Sequence, residues 1–405
     1  MENILNCAED FKSYYSTIRR ELHRCPELGF ELDKTTAIVM AELERMGISY
    51  RKNVGISGIV ADIEGKDKDV TIALRADMDA LPIEEKNDVE YKSQIKGNMH
   101  ACGHDAHTAI LLGVANVLSL YKEELPCNVR LIFQPAEETT GGAKPMIDDG
   151  ALDKVDAIFG LHVDSGLECG KIGIKYGAMN ASSTDIKIEV EGKSCHGAYP
   201  SGGVDAIVVM ASIITSLQSI VSRNIDARDS AVISLGKISG GTKENIMAQN
   251  VVCTGTLRTL SKEVKGKCKQ RIAQLVECIA QGYGAIGRAT FADGYTALIN
   301  DDSCVDIVRK NAQKLVGEDK IYVKKVPNMG VEDFAYFVEK VPGAFFYLGV
   351  RNEKRGIVAS EHNDRFDIDE DALPLGVKMG ILNIMSAYEK IKKEKQGDTH
   401  GKFTK

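Results

Sequence analysis

The segment Met99-His100-Ala101-Cys102-Gly103-His104-Asp105-Ala106-His107 holds three of the chain's eight His and one of its ten Cys. Cys thiolate and His imidazole are the ligands that bind zinc and its first-row neighbours. Cys102 and His104, separated by Gly103, can face one ion where the backbone turns, and a glycine makes that turn easy. The segment opens a helical pattern, where the N-terminal dipole favours a thiolate. The plainer alternative is a buried Cys beside a helix-capping Asp105, with surface histidines. A second signal is Gln134-Pro135-Ala136-Glu137-Glu138, at the end of an apolar run. Adjacent carboxylates are often a solvated loop. Beside a metal, one would ligate while its neighbour deprotonates a water, and like charges would raise one pKa. His162 and His362 end two further segments. A lone His usually packs structurally, but strand ends are where α/β folds gather ligands. Asp77 and Asp79, two apart on an extended chain, point to one side; they support a metal-bound His or cap a turn.

These residues need elements to position them. Helical spacing of apolar residues runs over 10–24, 32–46 and 104–120, and short strand-like runs over 58–63, 70–74, 129–133 and 157–163. Strands alternating with helices predict a mixed α/β sheet covered on both faces. From 184 the order becomes strand, helix, strand, strand, helix, strand, the split βαβ or ferredoxin-like unit. Residues 181–293 therefore read as a domain inserted between 1–180 and 294–390. Helices over 305–315, 331–338 and 372–388 surround a strand at 344–348. Residues 391–405 read as a charged, flexible tail.

The chain has 405 residues and a formal charge of −7, from 51 Lys plus Arg against 58 Asp plus Glu. That length predicts two or three domains, and the acidic balance argues against nucleic-acid and anionic-membrane partners. No run reaches the roughly 18 consecutive apolar residues of a membrane span. The acidic N-terminus is unlike a secretory signal, so a cytoplasmic location with reduced thiols is expected.

The whole constellation resembles the metallo-aminoacylase and carboxypeptidase G family of metallohydrolases, in the branch of hippurate hydrolase, auxin–amino acid conjugate hydrolase and N-acetyl-diaminopimelate deacetylase. The matching stretches are Arg20-Glu21-Leu22-His23-Arg24-Cys25-Pro26-Glu27-Leu28-Gly29-Phe30, 74–82, 100–107, 133–138 with 141–143, 160–162, 196–200, 330–334 and His362-Asn363. The resemblance implies a mixed-sheet, phosphorylase/hydrolase-like catalytic domain carrying an inserted ferredoxin-like α+β lid and dimerisation domain. It implies Cys102, His104, Glu138, His162 and His362 as metal ligands and Glu137 as general base. It implies that His196 reaches the neighbouring subunit of a homodimer to hold the scissile carbonyl, and that Asn245 and Arg258 lie near the substrate carboxylate. The wider family has a His where this chain has Asp77 and a bridging Asp where it has Cys102. His104 stands in for the lost imidazole, with Asp77 and Asp79 behind the ligands. One or two divalent ions are implied, Zn²⁺ or Mn²⁺, with Co²⁺ or Ni²⁺ also suited to the donors.

The implied reaction is hydrolysis of the amide bond of an N-acyl-L-amino acid to a carboxylic acid and a free amino acid. Two other readings stay open: a Cys–His nucleophilic hydrolase built on Cys102, and a non-catalytic metal or amino-acid binding protein. The acyl group is not legible from these residues.

Overall fold

A computed structural model describes residues 2–400, with side chains as far as Lys395. Helices α1 (Glu2–Asp10), α2 (Lys12–Arg24) and α3 (Asp33–Arg45) precede strands β1 (Ser49–Val54), β2 (Gly58–Ile63) and β3 (Asp67–Asp77). Then come α4 (His104–Leu120), β4 (Cys127–Gln134), α5 (Ala143–Asp148), β5 (Ala157–Glu168) and β6 (Ile172–Ile174). Next are β7 (Ala178–Asn180), β8 (Ser182–Glu191), α6 (Ala206–Ser219), β9 (Ala231–Gly240), β10 (Asn250–Thr259), α7 (Lys262–Gly282), β11 (Ile286–Asp293) and β12 (Leu298–Ile299). The chain finishes with α8 (Asp302–Val316), β13 (Ile321–Val323), α9 (Ala335–Val338), β14 (Gly343–Arg351) and α10 (Leu373–His400). Two compact units result. The first runs from the N-terminus to Gly177, over Asn300–Lys325 and from Tyr336 onward; the second comprises Ala178–Ile299 and Val326–Ala335.

The first unit is built on an eight-stranded mixed sheet in the order β1-β2-β4-β3-β5-β14-β6-β13. The β3 strand runs parallel to β4 and β5, and β14 runs parallel to β5. Buried on both faces, these strands read as apolar runs rather than alternations; β14 is buried from Gly343 to Val350. Ile72, Leu74, Phe159, Leu161, Phe346 and Leu348 join α4 and α10 residues in one core. Every residue of α4 from His104 to Leu118 is buried, which accounts for its being apolar nearly all round.

The second unit carries an antiparallel sheet in the order β11-β8-β10-β9. With α6 and α7 this is the ferredoxin-like topology. Ile186, Ile188 and Val190, alternate residues of β8, pack with Val209, Ile213 and Leu217 of α6. Residues Ala206–Asn224 are long and apolar enough to cross a membrane, with a mean hydropathy of 1.6 over 19 residues. The polar Ser212, Thr215 and Gln218 interrupt the run, and its inner face belongs to the core of this unit.

Three of the departures from the sequence pattern have a plain physical cause. The helix expected over 331–338 forms only over Ala335–Val338, because Glu332 Oε1 takes the Phe334 N–H at 2.9 Å and so competes with helical bonding. The edge strand β1 was unread, since Tyr50, Arg51, Lys52 and Asn53 offer no buried face to the pattern. The tail expected from 391 continues α10 as far as His400, with Lys392 paired to Asp67 and Lys395 to Asp156; residues 401–405 lie outside the described residues.

Candidate metal centre and active site

Gly103 caps the start of α4 with φ of 81° and so sets Cys102 and His104 on either side of a turn. A Cβ there would lie 2.4 Å from Val163 Cγ2, so only glycine lets this turn approach β5. Gly103→Ala is therefore expected to cost about 1–3 kcal/mol, from the left-handed backbone and the overpacking. A lowered urea midpoint together with weakened divalent-metal affinity would show it; an unchanged midpoint would sink it.

The β5 strand delivers His162. Its Nδ1 donates to Val163 O at 2.6 Å and its Nε2 stands 3.3 Å from Cys102 Sγ. That bond fixes the tautomer and leaves Nε2 free to ligate. Past the end of β4, Ala136 adopts a φ of 58°. Asp79 then takes the Glu137 and Glu138 N–H groups on its two carboxylate oxygens at 3.0 and 3.1 Å. His362, also left-handed with φ of 62°, donates its backbone N–H to Ala101 O at 2.8 Å. Its Nε2 lies 3.3 Å from Glu138 Oε1, an ion-pair distance without hydrogen-bond geometry.

The five expected ligands are thus brought together in the first unit. Cys102, His104 and His162 form one group whose donor atoms lie within 4.8 Å of one another, and Cys102, Glu138 and His362 form another. His104, Glu137 and Glu138 form a third. Asp77 and Asp79 are fully buried behind them; Asp79 caps the turn at 137–140 through the Glu137 and Glu138 N–H groups. His107, unassigned by the sequence, braces β3 to β5. Its Nδ1 donates to Asp77 Oδ1 at 2.6 Å while its Nε2 accepts the Val163 N–H at 2.9 Å. Arg75 Nη1 holds the other Asp77 oxygen at 2.5 Å.

His196, Asn245 and Arg258 lie in the second unit. His196 and Asn245 are exposed on paired loop segments, joined by the Gly197 N–H to Asn245 O at 2.8 Å. Arg258 is half-buried on β10, and its Nη1 is buried with no hydrogen-bond partner.

Electrostatics corrects one sequence expectation for the metal-free site. Burial, then Glu138 and Glu137, push the Cys102 thiol well above its ordinary range, against the expected thiolate. Against burial, His362 and His104 hold Glu138 down at about 2. Burial also opposes the His104 charge, but Asp77, Asp79 and Glu138 hold that imidazolium up to about 10. His104 Nδ1 lies 3.4 Å from Asp79 Oδ1 without hydrogen-bond geometry. Burial brings His107 down to about 4, so it is a neutral donor to Asp77.

Both His104 nitrogens and Glu138 Oε1 are buried without a hydrogen bond. Buried polar atoms rarely go unpaired. A soft sulfur donor, imidazoles and carboxylates converging on such atoms fit a divalent transition metal.

Fold and donor set together define a metal-dependent hydrolase. The chain belongs to Peptidase family M20/M25/M40, whose profile matches residues 73–384. It is an enzyme that hydrolyses amide bonds and takes one or two divalent metal ions. It is 41% identical over 356 residues to the N-acetyl-L-cysteine deacetylase of Bacillus subtilis, covering 88% of this chain and 84% of the relative. It is 39% identical over 380 residues to thermostable carboxypeptidase 2 of Saccharolobus solfataricus, covering 93% and 96% of the two chains. The crystal structure of a Bacillus subtilis dinuclear metal-binding peptidase of the M20 family superposes with a TM-score of 0.83 at 32% identity, covering 94% of this chain and 99% of that one.

Proposed function

We propose that this protein hydrolyses the amide bond of N-acyl-L-amino acids, releasing a carboxylic acid and a free amino acid. One observation carries the reading: Glu137, a buried carboxylate, falls in the same donor group as His104 and Glu138. Binding alone needs no base there. The deacetylase and carboxypeptidase relatives agree, since both names describe cleavage of an acyl–amino acid linkage.

In this reading Cys102, His104, Glu138, His162 and His362 hold one or two ions, Zn²⁺ or Mn²⁺, or else Co²⁺ or Ni²⁺. Cys102 falls in two of the donor groups, so its sulfur would be available to either ion. A bound metal supplies Lewis-acid polarisation of the acyl carbonyl and acidifies water. Glu137 takes the proton of the attacking water and passes it to the departing amine nitrogen. Asp79 keeps Glu137 and Glu138 in register by holding both backbone N–H groups. His196 of the partner subunit in a homodimer donates to the developing oxyanion. Arg258 and Asn245 clamp the substrate carboxylate, and the unpaired Arg258 Nη1 suits that role. The inserted unit serves as lid and dimerisation domain of a soluble, cytoplasmic enzyme.

Release of free amino acid from hippurate, N-acetyl-diaminopimelate, N-acetyl-Met and N-acetyl-Cys, measured side by side with metal-supplemented protein, tests the reading. No turnover on any of them would overturn it. The contact between Cys102 and His162 also invites a thiol nucleophile. A buried thiol raised above its ordinary range is a poor one, and activity that resists chelators but yields to iodoacetamide would favour it.

Metal binding should release protons. Below about pH 10 the metal-free His104 carries one, and Cys102 holds its own up to higher than usual pH. Both must leave for these atoms to ligate. Affinity is therefore expected to rise with pH from about 6 to 9. Calorimetry in buffers of different ionisation enthalpy counts the protons, and a pH-independent affinity would contradict the assignment.

A further inference from the structure

Among the described residues Arg19, on α2, is one of the largest fully buried side chains, and no step of the proposed reaction uses it. Its Nε donates to Asp105 Oδ2 at 2.8 Å and its Nη2 to Asp367 Oδ1 at 2.8 Å, while Nη1 reaches Glu370 Oε1 at 3.4 Å. Its guanidinium carbon lies 4.8 Å from the centre of the Tyr91 ring, and Tyr91 in turn donates to Asp367 Oδ2 at 2.8 Å. One helical turn on, His23 Nδ1 lies 2.7 Å from the same Asp105 oxygen and Nε2 lies 3.3 Å from Glu85 Oε1. Burial and Arg19 oppose the His23 charge, but Asp105 and Glu85 hold it above its ordinary range. Arg19 and His23 thus share one set of carboxylates in the interior.

The carboxylates are significant for what they adjoin. Asp105 directly follows His104, and its second oxygen takes the Ala106 N–H at 2.9 Å, inside the first turn of α4. Asp367 lies on the segment that follows His362, and it fixes that backbone by taking the Ile368 N–H at 2.8 Å. The two segments also meet where the His362 N–H reaches Ala101 O. A buried ion pair adds little net stability compared with apolar packing of the same volume. Stability therefore does not account for a guanidinium placed here, whereas a planar fork that sets angles between three partners does.

We propose that Arg19 is a positioning residue: its guanidinium holds the Cys102–His104 turn and the His362 segment at the mutual placement that metal ligation requires. The proposal rests on the ligand set proposed above. Partners that orient metal ligands are typically worth about 10–100-fold in metal affinity.

The test uses Co²⁺-loaded full-length protein, with affinity from chelator competition, the thiolate-to-Co²⁺ charge-transfer absorption, and Tm after chelation. Arg19→Lys keeps the charge and loses the fork; Asp367→Asn removes one arm and is the milder change should Arg19→Lys fail to fold. Both are expected to weaken Co²⁺ binding about tenfold or more and to shift the charge-transfer band. Leu43→Ala, in the core on α3, lowers Tm as a control and should leave affinity and band unchanged. Wild-type affinity and band in both Arg19→Lys and Asp367→Asn would overturn the proposal, as would an equal loss of affinity in Leu43→Ala. A failure of the ligand set looks different: the wild type would then show no band that Cys102→Ala removes.

Discussion

Glu137→Gln is expected to lower kcat by about 10²–10⁴-fold while the protein keeps its full complement of divalent metal. The substitution preserves shape and hydrogen-bonding length but removes the capacity to accept a proton at neutral pH. Glu137 reaches its place through its backbone: the N–H bond to Asp79 and the left-handed Ala136 fix where the side chain leaves the chain, and neither depends on the carboxylate. Folding and metal content should therefore survive. Glu138→Gln makes the contrast, because that carboxylate lies in the group with Cys102 and His362; there, metal should be lost together with activity. Metal analysis beside steady-state kinetics separates the two. A fully active Glu137→Gln enzyme would remove the base assignment, and one that is inactive because it has lost metal would move Glu137 into the ligand set.

Cys102→Ala carries the second large effect. Its sulfur is common to the groups completed by His104 with His162 and by Glu138 with His362. Deleting it should weaken both halves at once, by more than about a hundredfold, since even the partners of ligands are worth 10–100-fold. His162→Ala should impair one half and leave the Cys102, Glu138 and His362 donors in place. The comparison reads as metal stoichiometry under conditions that saturate the wild type. Metal also stabilises by mass action, so chelator should lower the Tm of the wild type and leave that of Cys102→Ala nearly unmoved. A Cys102→Ala protein with wild-type metal content would refute the shared role.

What the sequence disclosed follows from how local each signal was. Cys102, His104 and Asp105 lie within four positions, and the apolar runs at 129–133 and 157–163 marked Glu137, Glu138 and His162 as neighbours on one sheet, although β5 continues past His162 to Glu168. The ferredoxin-like order was legible because β8 alternates cleanly between buried and exposed residues. Pairings between distant positions were not legible. Arg19 meets Asp105 across 86 residues and Asp367 across 348, and nothing in either neighbourhood announces the other. His107 looked like one more His of the cluster; its bond to Asp77 needs β3 and α4 placed side by side. For the metal-free site, the thiolate inference failed for a related reason. A helix N-terminus is a local feature, whereas burial and the charges of Glu138 and Glu137, which outweigh it at Cys102, arise only in the assembled site.

The order of these donors along the chain bears on how the protein is made. Chains emerge from the ribosome N-terminus first and begin folding domain by domain. Four of the five proposed ligands, with Glu137, are translated before the second unit begins at Ala178, and His362 follows only after it is complete. The strand β14, which sits between β5 and β6, is equally late. A nascent chain thus contains all three residues of the Cys102, His104 and His162 group well before His362 is made to complete the other. Metal acquisition during synthesis would then be sequential, and a ribosome stalled before residue 343 would carry a half-site on an open sheet, exposed to whatever thiophilic ion the cell offers first.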